Sequence, residues 1–122
     1  MRYIEVFKDD APYIAQVPLQ AKTDVGDGTR LYDIEINYNV RHDFFTIGVS
    51  YEGADIITGE KLVINRPVKM YCELAPTDVL IPRNRPGQRG DVNYKNMGDT
   101  VLLAIERGGN DGALEAETTR RN

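Results

Sequence analysis

The feature that most constrains the fold is an alternation of apolar and polar residues in the middle of the chain. Between Leu31 and Arg41 every second residue is apolar, and polar side chains fill the positions between them. Such a period of two is typical of a β-strand that buries one face. The pattern repeats from Phe45 to Tyr51, after the polar connection Arg41-His42-Asp43. The two runs therefore predict an antiparallel hairpin.

Shorter signals of the same kind predict strands along most of the chain. In order, they cover Arg2 to Phe7, Tyr13 to Leu19, Ala54 to Thr58, Lys61 to Asn65, Val79 to Ile81 and Thr100 to Arg107. About seven or eight short strands, with turn signals roughly every 8 to 12 residues, predict an all-β fold, a small antiparallel sandwich or barrel. Pro12 and Pro18 bracket the second strand, which favours an edge position because proline has no amide hydrogen to donate.

Glycine, proline and polar clusters predict the connections. A hairpin loop is expected at Ala21 to Arg30, a tight corner at Gly59-Glu60, and a strand end at Pro82 followed by a loop from Arg83 to Gly90. Two segments stay open at this point. Val68 to Leu74 fits a strand or a short helix, and Asp91 to Met97 has room for one helical turn.

The chain of 122 residues, 41% of them apolar, is long enough for one domain, which we place at residues 1–107. From Gly108 onward the sequence is rich in glycine and mixed charge, which predicts a flexible tail at 108–122. No apolar run approaches the ~18 residues of a membrane span. The charged start, Met1 to Glu5, does not resemble a signal peptide.

The charge balance argues against general nucleic-acid binding. The formal net charge is -4 and the isoelectric point is about 5.0, so the chain as a whole is not attracted to phosphate backbones. The exception is a local cluster of Arg83, Arg85 and Arg89. This cluster either meets an acidic partner surface or a nucleic-acid backbone, or is simply a solvated loop.

No residue pattern in the sequence points to catalysis. His42 lies at the tip of a predicted hairpin beside Asp43, where solvent reaches it and nothing encloses a substrate. Ser50 lies mid-strand and lacks the Gly-x-Ser-x-Gly frame. Cys72 has no second cysteine for a disulfide, which fits a reducing cytosol, and we expect it to be a small apolar filler. The sequence therefore predicts a protein that is not an enzyme.

The acidic, glycine-rich stretch from Asp24 to Gly28 is the one candidate for a metal or nucleotide site. It lacks the alternating oxygen ligands and terminal glutamate of a calcium loop. It also lacks the third glycine of a dinucleotide-binding turn. A hairpin loop explains the same residues, so we expect neither a metal nor a cofactor.

One arrangement of segments resembles a known family. It consists of the hairpin Tyr32 to Asn39 and Phe44 to Val49, then Ile56 to Val63 with its Gly-x-x-Leu frame, and then Asp91 to Val101 with Met97-Gly98 before the last strand. This order is similar to the cyanophage-type baseplate plug family of contractile-tailed phages, over about Tyr13 to Glu106. The resemblance implies a structural, all-β protein of the virion, assembled in the host cytoplasm and located in the tail baseplate.

The family resemblance also implies the partners. These would be baseplate, hub, tube or spike proteins together with further copies of the chain, and neither a membrane nor a specific nucleic acid. If the pattern carries over, the contact residues are Asn93, Tyr94 and Lys95 before the last strand, with Arg83 and Arg85 as a second group. The loop from Arg83 to Gly90 is richer in arginine and proline than expected for the family.

Two other functions stay open on the sequence alone. One is a small ligand- or carbohydrate-binding β-sandwich, in which the tyrosines form a stacking platform. The other is a single-strand nucleic-acid binder, which the acidic composition disfavours.

Overall fold

The computed structural model describes residues 2–23 and 25–107, in which the chain is all-β, as predicted. It forms seven strands and one 3-10 turn at Lys8–Asp10. The strands are β1 (Arg2–Ile4), β2 (Tyr13–Thr23), β3 (Gly26–Asn39), β4 (Phe44–Tyr51), β5 (Ala54–Lys61), β6 (Val79–Asn84) and β7 (Val101–Glu106). They build two antiparallel sheets, one in the order β2-β3-β4-β5 and one in the order β1-β7-β6. The predicted tail at 108–122 lies outside the described residues.

A single hydrophobic core lies between the two sheets, which makes the fold a sandwich. The alternation in β3 places Ile34 and Ile36 in this core, and Ile47 joins them from β4. Leu80 and Leu103 enter from the other sheet. Strand β7 is central in its sheet and buried on both faces, since its intervening residues are buried as well. This double burial explains why β7 is a continuous apolar run rather than an alternating one.

The hairpin of β2 and β3 is longer than its sequence predicts. Its ladder continues through Ala21↔Gly28 to Thr23↔Gly26, so the expected loop at Ala21 to Arg30 is wrong. Ala21 is buried, and the Thr23 hydroxyl donates a 2.7 Å hydrogen bond to the Gly26 carbonyl. The glycines therefore lie within a tight hairpin instead of an open loop. Strand β2 is an edge strand, as its prolines predict.

The expected corner at Gly59-Glu60 lies inside β5 and is an irregularity of that strand. The pairing shifts between Ile47↔Glu60 and Val49↔Ile57, which leaves extra residues on β5 opposite Gly48. Gly59 has φ +62°, a conformation typical of a β-bulge. The separate strand expected at Lys61 to Asn65 is also wrong, because β5 ends at Lys61.

Strand β6 continues past Pro82 to Asn84, contrary to the predicted end at this proline. The carbonyls of Leu80 and Pro82 accept hydrogen bonds of 2.8 Å from the amides of Val68 and Asn65, on the side away from β7. In a strand, the N–H and C=O of one residue point to the same side. Pro82 therefore lacks its amide hydrogen where the β7 ladder does not need one.

The two segments left open form no regular element. Residues 68–74 follow an irregular path that begins at the buried Val68, and Cys72 is exposed in a bend, so its expected role as a small apolar filler is wrong. The Tyr32 hydroxyl holds this segment by donating a 2.7 Å bond to the Leu74 carbonyl. Residues 91–97 make a single turn, in which the Met97 amide donates to the Asn93 carbonyl at 2.9 Å.

Candidate interaction surface

Tyr94 lies where three segments meet: the 3-10 turn, the turn between β3 and β4, and residues 91–98. Its amide donates a 2.8 Å hydrogen bond to Asp43 Oδ1. The same oxygen accepts a 2.8 Å bond from the Tyr38 hydroxyl, and the rings of Tyr38 and Tyr94 lie 5.5 Å apart between centroids. The Tyr94 hydroxyl donates to the carboxylate of Asp9. Hydrogen bonds therefore hold Tyr94 both at its backbone amide and at its side-chain hydroxyl.

A lysine covers one face of this tyrosine. Lys8 Nζ lies 4.7 Å from the centroid of the Tyr94 ring and donates a 2.7 Å bond to the Tyr94 carbonyl. This geometry is a cation–π contact. Tyr94 nevertheless remains 40% exposed. It is thus an anchored aromatic side chain that still exposes part of its ring.

The hydrogen bonds around Tyr94 shift the pKa values of Asp43, Tyr38 and Tyr94 itself. The Tyr94 amide and the Tyr38 hydroxyl both stabilise the charged carboxylate, which lowers the pKa of Asp43. The hydrogen bond to Asp43 raises the pKa of Tyr38. The bond to Asp9 raises the pKa of Tyr94 in the same way.

The neighbours of Tyr94 have different surroundings. Asn93 Oδ1 accepts a 2.9 Å bond from the Asn96 amide, so its side chain stabilises the turn that carries Tyr94. Lys95 is exposed, and its ammonium group contacts no partner within residues 2–23 and 25–107. Lys95 thus presents an unpaired positive charge beside Tyr94.

The two candidate arginines lie at the end of β6. Arg83 forms a two-pronged ion pair with Glu106 at 2.9 and 3.1 Å and also donates to Asn65 Oδ1 at 3.1 Å. The hydrogen bonds to Glu106 raise the pKa of Arg83. Arg85 is exposed at the start of the loop, and its amide donates to the Thr100 carbonyl at 2.8 Å. Neither arginine side chain contacts residues 93–95 in the described part of the chain.

A groove of about 330 Å³ lies beside Asp43, between the β3–β4 turn, the end of β5 and residues 91–93. Phe44 lies on its wall, with the His42 ring stacked at 6.5 Å and Lys61 Nζ 5.0 Å from its centroid. His42 is exposed in the turn, as predicted. Sequence reasoning missed the groove because its lining comes from segments far apart in the chain, and no local pattern marks it.

Within the described residues, no group of three His, Cys, Asp or Glu side chains is placed to hold a metal ion. Ser50 lies inside strand β4, as predicted. A helix with the length and apolarity needed to cross a membrane is not found in this part of the chain. Tyr32 is buried, while Tyr38 and Tyr51 pack against the core, so these tyrosines do not form an exposed stacking platform.

The structure is a small β-sandwich of two sheets. Residues 91–98 are held against it by hydrogen bonds to the turn between β3 and β4 and to the 3-10 turn. A family model described as "Cyanophage baseplate Pam3 plug gp18" matches residues 1–108. The chain therefore belongs to this family of phage baseplate plug proteins, which confirms the resemblance seen in the sequence. Membership implies a structural role in the phage tail baseplate, with other baseplate proteins as partners. The search of curated proteins finds no match.

Proposed function

We propose that this chain is a non-enzymatic plug subunit in the central hub of a contractile-tail baseplate, near the tube and spike. There it helps to close the distal end of the tail and links hub proteins to one another. The observation that carries the proposal is the family match over residues 1–108, which spans all seven strands. Copies of the chain associate within this assembly.

The proposed contact surface centres on Asn93, Tyr94 and Lys95. Anchoring of the Tyr94 ring supports this choice, because a side chain that is already ordered loses little conformational entropy on binding. Aromatic residues are enriched in protein interfaces for this reason among others. Lys95 adds an exposed positive charge next to the ring.

The loop after β6 supplies the second part of the proposed surface. Arg83 holds the end of β6 through its ion pair with Glu106, so we assign it a positioning role at the edge of the contact. Arg85 is exposed, and among its guanidinium nitrogens only Nε donates a hydrogen bond within the described residues, to the Asp99 carbonyl. Its terminal nitrogens are suited to a carboxylate of a partner protein.

The test is size-exclusion chromatography with light scattering on the full chain, alone and mixed with the tail proteins encoded by neighbouring genes. We expect a stoichiometric complex with at least one of them. The variant Tyr94→Ala/Lys95→Ala should weaken this complex by about tenfold or more, as expected for loss of an aromatic contact residue. Tyr71→Ala is the matched control, because Tyr71 is 85% exposed and lies outside the proposed surface.

Two results would contradict the proposal. If none of those proteins forms a complex with the chain, the linking role fails. If Tyr71→Ala weakens the complex as much as the double variant, the contact surface is elsewhere. If the chain binds none of the tail proteins but binds immobilised glycans, this would instead support the alternative function, a carbohydrate-binding β-sandwich.

A further inference from the structure

The outer face of the four-stranded sheet carries three neighbouring carboxylates. In the ladder, Asp33 of β3 pairs with Ser50 of β4, and Ser50 pairs with Asp55 of β5. Glu35 lies two residues further along β3, opposite Gly48. None of the three acidic side chains takes part in an ion pair within the described part of the chain, where the two ion pairs are Arg2–Asp78 and Arg83–Glu106. We call this surface, formed by Asp33, Glu35 and Asp55, the acidic face.

A notch of about 140 Å³ opens in the acidic face above Gly48. Because Gly48 has no side chain, the floor of the notch stays open; a Cβ there would lie 3.5 Å from both Glu35 Oε1 and the Ile57 carbonyl oxygen. The groups around it include carboxylates, a backbone carbonyl and the Ser50 hydroxyl. Such a set of acceptors suits a guanidinium group, which has only N–H donors. Ile14, 65% exposed at the rim, offers apolar surface to an arginine stem.

The same chain displays a matching basic element on its other sheet. The loop at residues 85–90 follows β6, and both of its arginines are exposed. Arg89 contacts no partner within residues 2–23 and 25–107, and Arg85 uses only Nε. No described contact joins this loop to the acidic face. One copy therefore carries both halves of a complementary contact, on two different sheets.

We infer that copies of this chain join head to tail, with the loop of one copy seated on the acidic face of the next and Arg89 directed at the Gly48 notch. The inference deepens the proposed function, on which it rests, by naming the copy–copy contact. Two different patches meet, so the contact is heterologous and generates a ring or an open row. The net charge of -4 opposes association at a distance, but at contact the opposite charges of the two patches lie much closer to each other than the like charges elsewhere, so their attraction decides.

The test is a charge-swap experiment on the full chain. Asp33→Arg/Glu35→Arg makes the acidic face basic, and Arg85→Glu/Arg89→Glu makes the loop acidic. We expect analytical ultracentrifugation of the wild type at low salt to show self-association that added salt weakens. Each variant alone should associate at least about tenfold more weakly. An equimolar mixture of the two variants should associate again, because each then meets the opposite charge on the other.

Controls separate this contact from net charge and from misfolding. Asp27→Arg/Glu73→Arg changes the net charge as much as the acidic-face variant does, on two exposed residues outside both patches, and should leave self-association close to wild type. Circular dichroism and thermal unfolding establish that each variant is folded. Arg89→Glu alone replaces the loop variant if loss of the Arg85 contact to Asp99 unfolds it.

Several results would overturn the inference. These are a wild type that stays monomeric at low salt, an acidic-face variant that associates like the wild type, and a mixture that fails to recover. The complex with neighbouring tail proteins tests the proposed function separately. A monomeric wild type that still binds those proteins contradicts the head-to-tail contact alone, whereas a wild type that self-associates but binds none of them contradicts the linking role alone.

Discussion

The carboxylate of Asp43 accepts the backbone N–H of Tyr94 at 2.8 Å, from a position 51 residues earlier in the chain. Asp43 itself has φ +54°, in the left-handed region, and lies in the turn between β3 and β4. A second bond from the Tyr38 hydroxyl fixes the same oxygen. The turn thus determines how residues 91–98 are held, and with them the proposed contact surface.

Removing the Asp43 side chain should loosen this segment without unfolding the sandwich. Asp43→Gly deletes the acceptor and keeps a residue that tolerates positive φ. We expect the Tyr94 amide to exchange with solvent roughly tenfold faster, since a hydrogen bond to a charged acceptor is lost. Amides of the central strand β7 should keep their protection. Hydrogen exchange followed by NMR measures both.

Asp43→Asn is the matched control for that change. Asparagine also tolerates the left-handed region and retains a side-chain oxygen that can accept the Tyr94 N–H. It should therefore slow exchange relative to Asp43→Gly. Equal exchange rates in the two variants would show that the acceptor does not hold the segment.

Acid should release the same contact. The pKa of Asp43 is lowered in the folded chain, so its stabilisation is fully present above the ordinary aspartate value of about 3.9. It is lost as the pH falls through the lower folded value. The Tyr94 amide resonance should shift in that window, and Asp43→Asn should abolish the shift. A Tyr94 resonance that moves equally in the variant would contradict the assignment.

High pH should weaken the same contacts by ionising the hydroxyl groups of Tyr38 and Tyr94. The pKa values of Tyr38 and Tyr94 are raised, so the neutral forms are favoured in the folded state. The stabilisation from these two hydrogen-bonded hydroxyl groups is complete below about pH 10, and it is lost as the pH rises through their pKa values in the folded chain. A tyrosinate absorbance titration of Tyr94→Phe, subtracted from that of the wild type, should show one group ionising above pH 10. A difference step at or below that value would refute the prediction.

The sequence predicts those strands whose burial follows a simple rule. In β3 and β4 one face is buried, so the period of two is clear and the hairpin is found. In β7 both faces are buried, and the apolar run from Val101 to Ile105 still identifies a strand. Strand ends are predicted less well where tertiary contacts override local signals. Pro82 stays in β6 because its missing hydrogen faces away from β7, and Gly59 stays in β5 as part of a bulge.

The proposed surfaces are visible in the sequence only in part. Tyr94 and the arginines are noticeable as residue types, yet their ties to Asp9, Asp43 and Glu106 depend on long-range packing that one sequence does not reveal. The acidic face is likewise hidden, because Asp55 joins Asp33 only through the register of β3, β4 and β5.

Glycines at positive φ should be more sensitive to substitution than a glycine in an ordinary strand. Gly59→Ala should cost about 1 kcal/mol of unfolding free energy from backbone strain alone, because φ is +62° and no atom lies within 4 Å of the new Cβ. Gly98→Ala should cost more, about 2 kcal/mol, because φ is +82° and its Cβ would lie 3.1 Å from the Val6 carbonyl oxygen.

Urea unfolding of these variants tests the order. Gly48→Ala is the control, since its Cβ would make ordinary contacts at 3.5 Å and its φ is not positive. It should change the unfolding free energy by less than about 0.5 kcal/mol. The prediction fails if Gly48→Ala is as damaging as Gly98→Ala.

Asp78 should contribute more to stability than the arginine paired with it. Its side chain is 5% exposed, and Oδ2 accepts the Gln20 amide of β2 at 2.9 Å and the Arg2 guanidinium of β1 at 3.5 Å, which ties the two sheets together. Asp78→Ala leaves the Gln20 N–H without this acceptor and should cost about 2 kcal/mol of unfolding free energy. Arg2→Ala should cost less than about 1 kcal/mol, because the Arg2 side chain is 56% exposed and its ion pair is screened by water. Equal losses in urea unfolding would mean that the ion pair, rather than the buried backbone contact, joins the sheets.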